Sequence, residues 1–118
     1  MLKKSFNSIF FAWNGLKVTW REEHNFRIAV LATILVIFSI FYFHFSFVES
    51  AFCILAIIVV LSAEIANTAI EDLSDMVDSN LNPLIAKIKD TMAAFVLVSV
   101  FGAFVLGVLV FYHHFLFK

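Results

Sequence analysis

The sequence predicts an all-α integral membrane fold, with three spanning helices behind an N-terminal amphipathic helix, on three observations. Hydrophobic residues make up 63% of the 118 and charged ones 14%, which is more apolar surface than a soluble domain of this size can hide. The apolar residues gather in runs too long for strands. One Pro and three Gly leave little material for turns. Lipid is therefore the solvent for much of the chain, which reads as a single domain over residues 1–118 without repeats. A net charge of -1 offers nothing to nucleic acid.

Residues 2–22 come first. Leu2, Phe6, Ile9, Phe10, Trp13, Leu16 and Trp20 recur at spacings of three and four and share one helical face, the pattern of a helix lying in the membrane interface. Trp13 and Trp20 beside Lys17 and Arg21 suit that place, and packing on a partner protein is the other use of such a face. Lys4, Phe11, Val18 and Glu22 fall on the opposite side, so Phe11 faces away from lipid and asks for another occupant. The basic residues are not followed by a short apolar core and a small-residue cleavage site, so the segment does not read as a signal peptide.

The first span covers Phe26 to Phe45, about the twenty residues that a bilayer core requires. The second starts near Val48, stays apolar through Ser62 and continues with growing acidity to about Ser79. The third runs from about Thr91 to Phe117, where Ser99, Ala103 and Gly107 make a small-xxx-small stripe that lets helix backbones approach in lipid. The single Cys53 has no disulfide partner and reads as a small core hydrophobe. His44, His113 and His114, at the far ends of the spans, read as snorkelling imidazoles.

Lys3, Lys4, Lys17 and Arg21 precede the first span, Lys87 and Lys89 lie between the second and third, and the 45–49 turn has no basic residue. Basic residues stay in the cytoplasm, which places the N-terminus and the 80–90 loop there. Three short helices enclose little by themselves, and oligomers are the usual remedy.

The informative segment lies on the second span. At 100° per residue, Glu64, Asn67, Glu71, Asp75 and Asp78 fall within about 60° of one line. Asp72, Asp75 and Asp78 also suit the solvated end of a long helix, but that does not account for Glu64 or Asn67 beside the apolar run. Ionisable groups there are costly and mark function, and a carboxylate at the lipid boundary is placed to take a proton from a substrate dissolved in the bilayer. Glu22, Glu23, Arg27 and Lys89-Asp90 lie at a similar depth. Carboxylates from different segments with a Lys can hold Mg²⁺ and phosphate oxygens. There is no Walker or Gly-rich nucleotide loop in the chain, so a nucleotide site has to rest on this arrangement.

Two other classes stay open on the residues alone. A transporter or proton-relay subunit would line a path with Glu64, Asn67 and Glu71, although the other spans offer little polar at mid-membrane beyond Thr33, Ser39 and Ser99. A noncatalytic assembly protein would use the small-residue stripe and leave the acidic ridge without a purpose.

Four motifs carry a resemblance. Glu64-Ile65-Ala66-Asn67-Thr68-Ala69-Ile70-Glu71 resembles E-x-x-N-[ST]-[SA]-I-E, the signature of the prokaryotic diacylglycerol kinase family, which includes the undecaprenol kinases. Trp13-Asn14-Gly15-Leu16 resembles that family's W/F-[NK]-G-L, Glu23-His24-Asn25-Phe26-Arg27 its E-x-x-F-R, and Ala86-Lys87-Ile88-Lys89-Asp90 its A-x-x-K-D, in the family's order over nearly the whole chain.

The resemblance implies a homotrimer in the bacterial inner membrane, with active sites between subunits at the cytoplasmic face, that phosphorylates diacylglycerol or undecaprenol with ATP and Mg²⁺. It implies that Glu64 is the catalytic base at the lipid hydroxyl, with Asn67 beside it in the substrate site. Glu23 and Glu71 then hold Mg²⁺ with the nucleotide, and Lys4, Phe11, Lys89 and Asp90 contact the nucleotide. Departures from the family pattern are Phe11, where some members carry Tyr, Asn80-Leu81-Asn82 in place of an acidic-Tyr-His stretch, Ala29 at a position often Glu or His, and Met92 and Phe95 where small residues are preferred.

Overall fold

A computed structural model describes residues 2–78, 80 and 82–117. Four helices follow in order: α1 Leu2–Glu22, α2 His24–Tyr42, α3 Phe47–Val77 and α4 Pro83–Leu116. The last three are long and apolar enough to cross a membrane.

Each break has a local cause. Between α1 and α2 only Glu23 leaves the helix, with extended backbone (φ -111°, ψ 110°), so the chain turns on the residue that opens the E-x-x-F-R motif. Between α2 and α3 the backbone N–H of Phe45 donates to the Ile40 carbonyl, and His44 takes a left-handed φ of 54°, a region that His enters more readily than most residues. Ser46 then starts α3 with a capping box. Its Oγ accepts from the Glu49 N–H at 3.2 Å while its own N–H donates to Glu49 Oε1 at 2.8 Å.

The helix that carries the third expected span extends beyond that span at its start. α4 begins at Pro83 rather than near Thr91, so most of the stretch read as a cytoplasmic loop is helical. Asn82 caps it, accepting from the Leu84 N–H at 2.9 Å, and Pro83 occupies the first helical position, where its missing N–H costs nothing. Asp78 accepts from the Asn80 backbone N–H at 2.9 Å and from Asn82 Nδ2 at 3.1 Å. These bonds hold the Asp78 carboxyl below its ordinary range and give Asn80 and Asn82 a turn-building role. Ser79 and Leu81, where the second span was expected to end and the loop to depart from the family pattern, lie outside the described residues.

α3 and α4 form the closest pair, and α2 packs on α3 but not on α4. The apolar core sits at the end away from the acidic ridge, where Phe45, Cys53 and Val110 are buried under Val36, Ile40, Phe43 and Phe111. Elsewhere large apolar side chains point outward, such as Leu35, Leu97 and Phe101 at 67–68% exposure. Such a surface would aggregate in water and is ordinary in lipid. α1 meets α2 and α3, Thr19 is its buried residue, and residues 2–13 are exposed along their whole length.

Candidate active site

A groove of about 910 Å³ opens between α2 and α4 with α3 as its floor, the size of a ligand pocket. Its walls are apolar apart from Thr33, whose hydroxyl donates to the Ala29 carbonyl at 2.8 Å, and from one end, where Asn25 of α2 and Glu64, Asn67 and Glu71 of α3 line it. Three of the five ridge residues thus share one cavity, as their helical spacing requires. Glu64 is only 4% exposed, and its helix is braced there by Thr68, whose hydroxyl donates to the Glu64 carbonyl at 2.9 Å.

Asn67 has an incomplete set of bonds. Its Nδ2 donates to Glu71 Oε1 at 3.3 Å, which fixes the amide's orientation, because a carboxylate only accepts. Its Oδ1 is buried without a partner. A lost bond of that kind costs about 1–3 kcal/mol, so the site is built for an incoming donor such as a hydroxyl.

Glu23 joins this group from the α1–α2 break. Burial first, then the charges of Glu71, Asp72 and Glu22, push its carboxyl above the usual range, and it lies within electrostatic reach of Glu64 as well. Glu23, Glu64 and Glu71 therefore feel one another's charge within one chain. Among the described residues no three His, Cys, Asp or Glu side chains converge tightly enough to hold a metal ion alone. A pair of repelling carboxylates fits the other pattern, in which a hard cation takes one or two protein oxygens and the rest from phosphate and water.

The remaining candidates are less assembled. Lys89 reaches across from α4 to Asp75 of the ridge, Nζ to Oδ1 at 2.6 Å, with both side chains largely exposed. Asp90 is exposed beside it. Lys4 and Phe11 stand exposed on α1, and among the described residues no hydrogen bond, ion pair or ring contact joins either to the carboxylates. Among the described residues the ring contact of Phe11 is with Phe10, edge-on with centroids 6.2 Å apart.

The profile of the prokaryotic diacylglycerol kinase family matches residues 10–111, which contain Glu23, Glu64, Asn67, Glu71 and Lys89. The chain belongs to this family. It is 31% identical over 106 residues to the diacylglycerol kinase of Helicobacter pylori strain J99, covering 89% of this chain and 83% of that one. It is 27% identical over 105 residues to the diacylglycerol kinase of Escherichia coli K12, with 89% and 86% covered. To the undecaprenol kinase of Bacillus subtilis strain 168 it is 32% identical over 110 residues, with 93% and 89% covered. As a prokaryotic diacylglycerol kinase family member the chain is a membrane lipid kinase, and the transporter and assembly readings fall away.

One cluster was missed. Glu49 is 3% exposed at the opposite end of the bundle, where Nδ1 of His113 donates to its Oε2 at 3.0 Å and Nδ1 of His114 to its Oε1 at 3.1 Å. These two imidazoles therefore do not snorkel freely but bind a buried carboxylate. The Ser46-x-x-Glu49 spacing is that of a capping box and was not read as one, and nothing local in the sequence shows that Glu49 faces residues 64 and 65 positions away.

Proposed function

We propose that the chain transfers the γ-phosphate of ATP to the hydroxyl of a membrane lipid alcohol, diacylglycerol or undecaprenol, at the cytoplasmic face of the bacterial inner membrane. The observation that carries this is the position of Glu64, a buried carboxylate at the head of an apolar groove, beside the unpartnered Asn67 oxygen and two further carboxylates. An amphiphile with its tail in the groove presents its hydroxyl there.

In this mechanism the entering hydroxyl first donates to Asn67 Oδ1, which positions it, and its O–H then turns to Glu64, which takes the proton as the hydroxyl oxygen forms its bond to the γ-phosphorus. The bond from that phosphorus to the β–γ bridging oxygen breaks and ADP leaves. Glu23 and Glu71 would hold Mg²⁺, which supplies charge neutralisation on the phosphate oxygens. Phosphoryl transfer asks the protein mainly for such positioning and electrostatics. Lys89, paired with Asp75 one turn beyond Glu71, and Asp90 next to it, together with Lys4 and Phe11 on α1, complete the nucleotide site. Because Lys4 and Phe11 stand clear of the carboxylates in one chain, they support a homotrimer with sites completed between subunits, α1 lying in the membrane interface. The basic residues around α1 and the start of α4 support a cytoplasmic acidic end.

The test is an assay of purified protein with ATP, Mg²⁺ and each lipid in the same bilayer. Phosphorylated lipid that disappears on chelating Mg²⁺ is the expected result. ATP-independent behaviour, or no lipid phosphate from folded protein, overturns the proposal.

A further inference from the structure

The groove has an end as well as a head. From Glu64 its apolar part runs along α3 to Cys53, eleven residues or ~16 Å at the helical rise. Its lining reaches no farther than Val36 of α2, Cys53 of α3 and Phe111 of α4, where the packed cluster of Phe45, Cys53 and Val110 begins. Phe111 is firmly placed, its ring edge-on to Phe45 at 5.3 Å and to Phe43 at 6.3 Å and tilted against Phe115 at 5.9 Å. One turn beyond, the bonds from His113 and His114 to Glu49 tie α4 to α3. The aromatic stop is thus braced from behind. The depth above it is about half of a ~30 Å hydrocarbon core, one leaflet.

The small-residue stripe belongs to this groove. Ala103 and Gly107 line its α4 wall, and a Cβ added at Gly107 would meet nothing within 4 Å. Within the chain Ala103 and Gly107 therefore leave room beside α4.

Resting on the lipid kinase reading, we infer that Phe111 and its aromatic brace are a tail stop that measures one leaflet, so that this enzyme takes a diacylglycerol with leaflet-length chains in preference to a long polyprenol. The occupant of the groove is one acyl tail, because the groove is continuous with the polar head of the site, and only an amphiphile matches both parts. A tail gains no hydrophobic free energy on leaving lipid for an equally apolar wall. Selection therefore comes from fit at the closed end, where a longer tail has to fold back or leave sideways.

The experiment measures kcat/KM across diacylglycerols of increasing acyl length, and for undecaprenol, with wild type, Phe111→Ala and Gly107→Leu in one bilayer. Oligomer size is measured alongside. Wild type should rise to an optimum at leaflet-length chains and fall by about tenfold for longer ones, the size of discrimination an apolar pocket supplies for misfitting methylenes. Phe111→Ala should move the optimum to longer chains and narrow the gap to undecaprenol. Gly107→Leu fills the groove a turn nearer its head, in space the structure leaves open, and should move the optimum to shorter chains. It keeps the inference testable should Phe111→Ala not fold.

Three outcomes overturn the tail stop. One is a wild-type profile without an optimum, or with undecaprenol preferred. Another is an optimum that stays put in folded variants. The third is loss of the oligomer in Gly107→Leu with an equal fall for every chain length, which would show that a second copy's helix fills the groove. Absence of lipid phosphorylation by wild type overturns the kinase reading, and the tail stop with it, whereas a chain-length result against the stop leaves the kinase reading standing.

Discussion

Nδ1 of His114 donates to Oε1 of Glu49 at 3.1 Å across the end of the α3–α4 pair, while His113 takes the other oxygen at 3.0 Å. His114 is itself 8% exposed and lies against Phe45, ring centroids 4.7 Å apart. A buried carboxylate that loses its partners, or a buried partner such as His114 that loses its carboxylate, is left unsatisfied. Glu49→Ala should therefore lower the thermal unfolding temperature in detergent. Glu49→Gln should lower it less, because its amide oxygen can still accept from Ser46 or one imidazole. An unchanged melting temperature in Glu49→Ala would remove the clasp from the account of this end.

At the other end, Glu64→Gln keeps the size and much of the hydrogen bonding of a buried side chain while removing its basicity. It should preserve folding and lose about 100- to 10,000-fold in turnover, the usual worth of a general base. Near-normal turnover in a folded Glu64→Gln protein would sink its assignment as base.

Glu23→Gln and Glu71→Gln should act on binding, so that raised magnesium or ATP recovers part of their rate, whereas Glu64→Gln should not respond. Identical magnesium curves for all three would show that the roles are wrongly divided.

The raised Glu23 carboxyl also gives a stability test with a definite sign. Burial and then the charges of Glu71, Asp72 and Glu22 hold it above its ordinary range, so the unfolded chain releases this proton at lower pH than the folded one. Between those two values the folded state binds more protons, and stability falls as pH rises through the window. Glu23→Gln should therefore melt higher than wild type above that window and converge with it at low pH, despite weaker metal binding. A Glu23→Gln protein less stable than wild type at neutral pH would show that its charge is not the strain described.

How much of this could be read from the chain depended on whether the cause was local. Helical periodicity alone put Glu64, Asn67 and Glu71 on one face, and all three line the groove, because that geometry is fixed within two turns of one helix. The same periodicity found the Ser99, Ala103 and Gly107 stripe but read it as a packing face. Whether small residues admit a helix or leave a groove is decided by where the neighbouring helices stand. The early start of α4 was hidden because Lys87, Lys89 and Asp90 interrupt the apolar pattern, although Asn82-Pro83 is a good helix opening. The pairing of Glu49 with His113 and His114 was out of reach, since it depends on how far α4 rises beside α3.

The last expectation concerns which chain supplies which group. Motif spacing left it open whether Glu23 and Glu64 could meet within one three-span chain, and a site shared between subunits would allow two inactive mutants to complement each other. The break at Glu23 sets its carboxylate within electrostatic range of Glu64 and Glu71 in a single chain. Glu23→Gln and Glu64→Gln subunits mixed in one oligomer should then stay as inactive as their parents, because every site lacks one of the two carboxylates. Lys4 and Phe11 stand apart on α1, so a subunit carrying Lys4→Ala and Phe11→Ala with intact carboxylates should regain activity when mixed with Glu64→Gln. Random assembly places an intact α1 beside intact carboxylates in a minority of sites. The measurement is lipid phosphorylation by co-refolded pairs whose mixing is verified by differently tagged subunits. Recovery with the carboxylate pair would mean that the two acids serve from different chains. Failure of the α1 pair to recover would place all of these residues in one.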